Sequence, residues 1–135
     1  MGAIMIYADS NVLIRMVEGD ATTRAPIEAR LSPLRGTGRF LLTSRLSRLE
    51  CRVKPIRQND WVLVSLYDAI FASSEVELLE ISADVVEKAT ELRAKFNVKT
   101  PDALHLASAI LAGATAFLTG DRNLIRCTDI LVEVI

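Results

Sequence analysis

Apolar residues fall along this chain in short runs separated by longer amphipathic stretches. The first run, residues 4–8, is five apolar residues in a row, closed abruptly by Asp9. An unbroken apolar run of that length is the pattern of a strand buried on both faces. Residues 40–43 and 116–119 are similarly apolar, and 76–81 and 130–134 are largely so; together they predict four further strands. Helical periodicity fills the intervals. It predicts helices over about residues 11–18, 23–34, 45–53, 59–73, 83–96 and 100–112. Pro26 is placed in the first turn of the second helix, and Pro55 is expected to end the third. Gly19-Asp20 and the glycine-containing segment 35–38 read as breaks.

Strands that alternate with helices predict a parallel sheet covered on both faces. The expected fold is therefore α/β, a three-layer α/β/α sandwich with a five-stranded parallel sheet. A chain of 135 residues favours one domain spanning residues 1–135. In this architecture, ligands bind beyond the carboxyl ends of the strands. That makes the carboxylates at strand ends the first candidates for chemistry.

Asp9 directly follows the first strand, and Asp121 follows the fourth in "FLTGD". Glu50 lies in the helix after the second strand, and Asp102 opens the helix that feeds the fourth. Each has an ordinary alternative. Asp9 can cap the next helix, and Asp121 can cap a single turn at residues 122–125. Thr100-Pro101-Asp102 is common helix-start chemistry, with Thr as cap, Pro first, and an acid facing the dipole. Glu50 shares a helical stripe with Leu46, Leu49 and Val53, which predicts that it faces the core while Arg45, Arg48 and Arg52 do not. A stripe-edge glutamate that reaches water is the competing reading. Thr119 is placed to donate to a carboxylate. His105, one turn after Asp102, is either a donor or general acid behind the site or a satisfied structural histidine.

If these acids converge, two of them about 4 Å apart repel by about 4 kcal/mol at an effective dielectric near 20. Such a cluster must hold protons or cations. An all-oxygen donor set without usable Cys or His points to Mg²⁺ or Mn²⁺ rather than zinc. That chemistry suits phosphate esters.

Composition refines this picture. Half of the residues are hydrophobic but only 5% are aromatic, so the core is aliphatic. The mean hydropathy of +0.29 fits either a well-filled core or apolar surface covered by a partner or a second copy. Net charge is −1, which gives no global basic signature for nucleic acid. Locally, Arg35, Arg39, Arg45, Arg48, Arg52, Lys54 and Arg57 face only one acid, Glu50. Cys51 and Cys127 lack metal-ligand spacing and read as buried or idle thiols. Neither a signal peptide nor a membrane span is legible, so a cytoplasmic protein without membrane contact is expected.

The stretches "YADSNVLI", "TSRLSRLE", "TPDALHLASAI" and "FLTGDRNL", in this order and at these separations, resemble the PIN-domain ribonucleases. The resemblance is greatest to the VapC-like toxins of toxin–antitoxin pairs and covers essentially the whole chain. It implies an acidic pocket of Asp9, Glu50, Asp102 and Asp121 that binds Mg²⁺ or Mn²⁺. Asn11, Ser44 and Thr119 would be its polar support. The family often continues the last motif with a further acid near an aromatic. Asn123-Leu124 stands there in this chain, and Asp129 is the available substitute.

The implied activity is metal-dependent endonucleolytic cleavage of RNA by metal-activated water, with an antitoxin partner and a homodimer. Asp9 and Asp102 would hold the metal most directly. Glu50 would ligate a second metal or orient the nucleophile, and Asp121 would act through bound water. Arg45, Arg48 and Arg52 either engage RNA phosphates or form a solvated helix face. The alternatives are a non-catalytic partner-binding module on the same fold and a phosphoacceptor signalling domain. The second lacks a lysine beyond the late strand and an acceptor aspartate at the end of the third.

Overall fold

The computed structural model describes residues 3–135. Its elements run β1 (Ile6–Ala8), α1 (Ser10–Glu18), α2 (Ala21–Leu31), β2 (Leu41–Ser44), α3 (Arg45–Arg57), α4 (Trp61–Phe71), β3 (Val76–Leu79), α5 (Ala83–Phe96), α6 (Thr100–Leu111), β4 (Ala116–Thr119) and β5 (Val132–Val134). Short 3₁₀ turns follow α2 at Ser32–Leu34 and β4 at Arg122–Arg126. The five strands form one sheet in the order β3-β2-β1-β4-β5, and every pairing is parallel. The chain winds outward from β1 to β3, then returns to lay β4 on the other side of β1. The switch point therefore lies beyond the carboxyl ends of β1 and β4.

Side chains alternate across the sheet and feed two aliphatic cores. Ile6 and Ala8 of β1 pack with Val12, Leu13, Ile27, Leu31 and Tyr67 under α1 to α4. Tyr7 points the other way and packs with Leu42, Leu92, Leu106 and Phe117 under α5 and α6. Tyr7 pairs with Phe117 in the β1–β4 register, and their rings stack at 5.3 Å between centroids. Every residue of β1, β2 and β4 is buried, which is why these strands read as continuous apolar runs.

Several boundaries differ from expectation. Asp20 caps α2 by accepting the Thr23 N–H at 2.8 Å, so the helix starts two residues early and Pro26 falls in its second turn. α3 does not stop before Pro55 but runs to Arg57, with Pro55 buried in its last turn. There the ring packs, and the missing N–H is lost near a helix end. α4 begins at Trp61, because Asp60 accepts the Leu63 N–H at 3.1 Å. α6 is preceded by Lys99, with Thr100 and Pro101 as its first residues, so Thr100 is not the cap.

The largest correction concerns α3. The expected core stripe of Leu46, Leu49, Glu50 and Val53 is not the buried one. Ser47, Cys51 and Pro55 face the core, while Leu49 is 58% exposed and Val53 42%. Small side chains occupy the buried face because α3 lies close against the sheet. Thr43 donates its hydroxyl to the Ala8 carbonyl at 3.1 Å, and the Ser47 hydroxyl lies 2.6 Å from it. Cys51 and Cys127 are both buried free thiols.

A candidate acidic site at the switch point

Asp9 stands at the end of β1 and is 5% exposed. Both of its carboxylate oxygens are engaged. One carboxylate oxygen accepts the Val12 N–H at 3.1 Å and caps α1, while the other accepts the Thr119 hydroxyl. Burial pushes its carboxyl above the ordinary range, and these two hydrogen bonds, with His105 and Arg15 nearby, only partly offset it.

Thr119 closes β4 and is fully buried. Its hydroxyl also accepts the Asp121 N–H at 3.1 Å, so one side chain ties Asp9 to the turn that carries Asp121. Asp121 accepts the Asn123 N–H at 2.9 Å and caps the 3₁₀ turn. Gly120, between them, lies under the Arg15 guanidinium. A Cβ built there would meet Arg15 Nη2 at 2.5 Å and Cζ at 2.7 Å. Arg15 donates to the Ile135 carbonyl at 3.0 Å, and the Ile135 N–H bonds the Thr119 carbonyl at 2.8 Å.

Asp102 sits in the first turn of α6, half-buried, and its carboxylate accepts no hydrogen bond among the described residues. A helix-start acid with no capping bond has only the dipole in its favour. Burial pushes its carboxyl upward, and the neighbouring charges of Asp121 and Asp9 push it further. Asp102 and Asp121 line one small hollow of about 120 Å³, together with Lys99, Asn123 and Arg126.

Glu50 reaches the same edge from α3, but in a different state. Its Oε1 accepts the Ser10 hydroxyl at 2.6 Å and lies 2.7 Å from His105 Nε2. Burial alone would raise its carboxyl, yet the hydrogen bonds from His105 and Ser10 outweigh it and the net shift is downward. His105 Nδ1 lies 2.8 Å from the Tyr7 hydroxyl. Ser44 Oγ, wholly buried at the end of β2 near that hydroxyl, makes no hydrogen bond of acceptable geometry.

The four predicted acids thus gather at one edge of the sheet, and Thr119 joins them. Among the described residues, no three His, Cys, Asp or Glu side chains close into a single metal-holding group. Asn11 is exposed in the first turn of α1. Asp129 is turned away, paired with Lys95 at 3.1 Å. Arg48 and Arg52 converge on Asp68 at 3.1 and 3.0 Å, and Arg45 pairs with Glu80 at 3.1 Å. Ser10 and Tyr7 were not foreseen as part of the site. The signals were a serine adjoining the strand-end acid and a lone phenol in an aliphatic strand.

The donor set fits a hard divalent cation in its chemistry. It is all oxygen, the charge at Asp9 and Asp102 is only partly offset by its surroundings, and its acids come from four separate elements.

Known protein structures share this fold. The VapBC2 complex from Rickettsia felis, bound to a DNA fragment from its promoter, superposes with a TM-score of 0.75 at 15% identity, covering 97% of this chain and 98% of that one. FitAcB from Neisseria gonorrhoeae gives 0.69 at 18% identity over 95% and 96%. VapC20 from Mycobacterium tuberculosis, described as a sarcin-ricin-loop-cleaving toxin, gives 0.64 at 22% identity over 83% and 86%. No curated protein sequence matches the chain. The PIN domain family matches residues 6–129. With that match spanning nearly the whole sheet and all four acids, the chain belongs to the PIN domain family.

Proposed function

We propose that this protein is a metal-dependent endoribonuclease, the toxin of a toxin–antitoxin pair. The observation that carries the reading is geometric: Thr119 ties the buried Asp9 to the turn of Asp121, Asp121 and Asp102 line one hollow, and Ser10 beside Asp9 ties down Glu50. Burial pushes the Asp9 and Asp102 carboxyls upward, and the nearby His105, Arg15 and Lys99 offset this only in part.

Asp9, Asp102 and Glu50 would hold Mg²⁺ or Mn²⁺, with Asp121 contributing through water. The bound ion would supply Lewis-acid stabilisation of charge on a phosphodiester and lower the pKa of water beside it. The chain's own groups set the geometry. Thr119 fixes the Asp9 oxygen that does not cap α1, and the Thr119–Asp121 bond keeps the β4 turn in register with it. Ser10 and His105 keep Glu50 ionised and turned to the same edge. Arg15 lies close enough to lower the Asp9 carboxyl and so limits the repulsion among the acids.

The outer face of α3 supports a protein partner. Leu49, Val53 and Ile56 are exposed there beside Arg45, Arg48 and Arg52, around a groove of about 580 Å³. Aliphatic surface mixed with arginines that already have acidic partners suits a protein face better than bare phosphate contacts. An antitoxin and a second copy of the chain both belong to this reading. No helix among the described residues is long and apolar enough to cross a membrane.

The test is cleavage of RNA by purified protein. Activity is expected with Mn²⁺ or Mg²⁺, absent with chelator, and lost by at least about a hundredfold in Asp9→Asn, by analogy with loss of a group acting on transition-state charge. Far-UV circular dichroism should be unchanged, because Asn still caps α1. Cleavage by Asp9→Asn at the wild-type rate would sink the site assignment, and no cleavage by wild type with either metal would leave a PIN fold kept for partner binding.

A further inference from the structure

We propose that His105 is a positioning residue for Glu50, holding one carboxylate oxygen so that the other faces the acidic edge. The inference rests on the metal-binding reading of the site. It concerns a residue outside the acidic set.

A glutamate on one helix does not present its carboxylate in a fixed place. It has three rotatable bonds, and here its side chain is about a third exposed, 31% by area. Only interactions with other elements can hold it. Two such ties converge on Oε1. The Ser10 hydroxyl donates at 2.6 Å, and His105 Nε2 lies at 2.7 Å. Because a carboxylate only accepts, Nε2 carries the proton that makes this bond. Oε2 takes no hydrogen bond among the described residues.

The origins of the two ties matter more than their lengths. Ser10 adjoins Asp9 at the start of α1. His105 lies one helical turn after Asp102 on α6. Glu50 is therefore registered directly against the two backbone segments that carry the other principal acids. Without these bonds, α3 could place Glu50 only through its own packing.

The imidazole is itself held. His105 is 3% exposed, and its Nδ1 lies 2.8 Å from the Tyr7 hydroxyl. Tyr7 has no exposure, sits in the central strand, and stacks on Phe117. Its ring meets the imidazole edge-on at 5.9 Å. The chain of support runs from the middle of the sheet through Tyr7 and His105 to Glu50. A histidine present only to fill the core would need its nitrogens satisfied, but any suitable donor and acceptor would serve. This one spans from the central strand to a carboxylate at the site.

Mn²⁺ binding to the purified protein, followed by calorimetry, tests the assignment without RNA. His105→Leu removes the donor, while His105→Gln keeps an N–H that can reach Glu50. Loss of a partner behind a metal ligand typically weakens binding by about tenfold or more. His105→Leu should show that loss, His105→Gln should recover most of it, and both should melt similarly. Tyr7→Phe should lose about threefold, a fraction of the same effect, because the ring stays but its anchor goes. If His105→Leu does not fold, Gln and Tyr7→Phe carry the comparison. Wild-type affinity in both would overturn the proposal, as would equal affinities for a folded Leu variant and the Gln variant. A wild type that binds no Mn²⁺ would instead overturn the metal reading beneath it.

Discussion

The acidic edge has two flanks in opposite electrostatic states. On one, Glu50 meets donors from Ser10 and His105, and its carboxyl is held below the ordinary range. On the other, Asp9 and Asp102 sit above it, one mainly by burial and the other by burial and acidic neighbours. The residue types are nearly the same, so the surroundings make the difference. Glu50 is compensated from inside the protein and needs no cation to stay charged. The Asp9–Asp102–Asp121 flank carries charge that the fold does not match. On the proposed reading a cation would gain most there, with Glu50 as the ligand beside it.

The largest effect separates the flanks by sign in metal-free protein. Glu50→Ala leaves the buried His105 N–H and the Ser10 hydroxyl without their acceptor, and should cost about 1–3 kcal/mol in chelator. Asp102→Asn should hold stability or raise it by a few tenths of a kcal/mol, since screening reduces the relieved repulsion at a half-exposed site. An Asp102 that only started its helix would instead lose about 0.3–1 kcal/mol on becoming Asn. Chemical denaturation of both variants in chelator decides this, and a drop in both would erase the contrast.

A second effect is pH dependence. For Asp9 and Asp102 the folded values are raised, so the folded state binds their protons more tightly than the unfolded chain. Their contribution is fully present below the unfolded carboxyl range, near 3.8, and is lost as pH rises through the raised folded values. Glu50 has the opposite sign. Its contribution is present above its unfolded value and is lost as pH falls through the lowered folded one. Asp9→Asn should therefore flatten the decline seen in chelator as pH rises above the unfolded carboxyl range. Excess Mn²⁺ should remove it in the wild type, because a ligand of the folded state stabilises by mass action. An identical pH profile for wild type and Asp9→Asn in chelator would place Asp9 outside the strained flank.

The smallest effect bounds the site on its α3 side. If the outer face of α3 meets protein, replacing Arg45, Arg48 and Arg52 with Gln should leave the salt dependence of RNA binding unchanged. Three lost phosphate contacts would lower the slope of log affinity against log salt by about 2 for a single strand. A fall of that size would assign the arginines to RNA.

Much of this architecture was legible because parallel strands buried on both faces leave unbroken apolar runs. The runs of β1, β2 and β4 ended at polar residues that the topology then carried to one edge. The placement of Asp9 and Asp121 after β1 and β4 could be read from position, whereas Asp102 matched an ordinary helix start. α3 was misread because its buried face is made of Ser47, Cys51 and Pro55, while its largest apolar side chains face outward. Hydrophobic periodicity cannot identify a core face built from small residues opposite an exposed apolar one. The Tyr7–His105 and His105–Glu50 bonds span 98 and 55 positions. Such pairings depend on tertiary placement, and the separate residues gave only faint local signals.

Gly120 shows how a neutral position can govern a charged one. The space where its Cβ would stand is filled by the tip of the Arg15 side chain, a group that can swing aside at little cost. A methyl group there would leave the backbone in place and displace the guanidinium. Arg15 would lose its bond to the Ile135 carbonyl and its nearness to Asp9, and the Asp9 carboxyl would rise further. A glycine-to-alanine change, ordinarily classed as steric, would then behave as an electrostatic mutation. In a sequence variant of this protein, the residue at position 120 would report how much negative charge the pocket can bear.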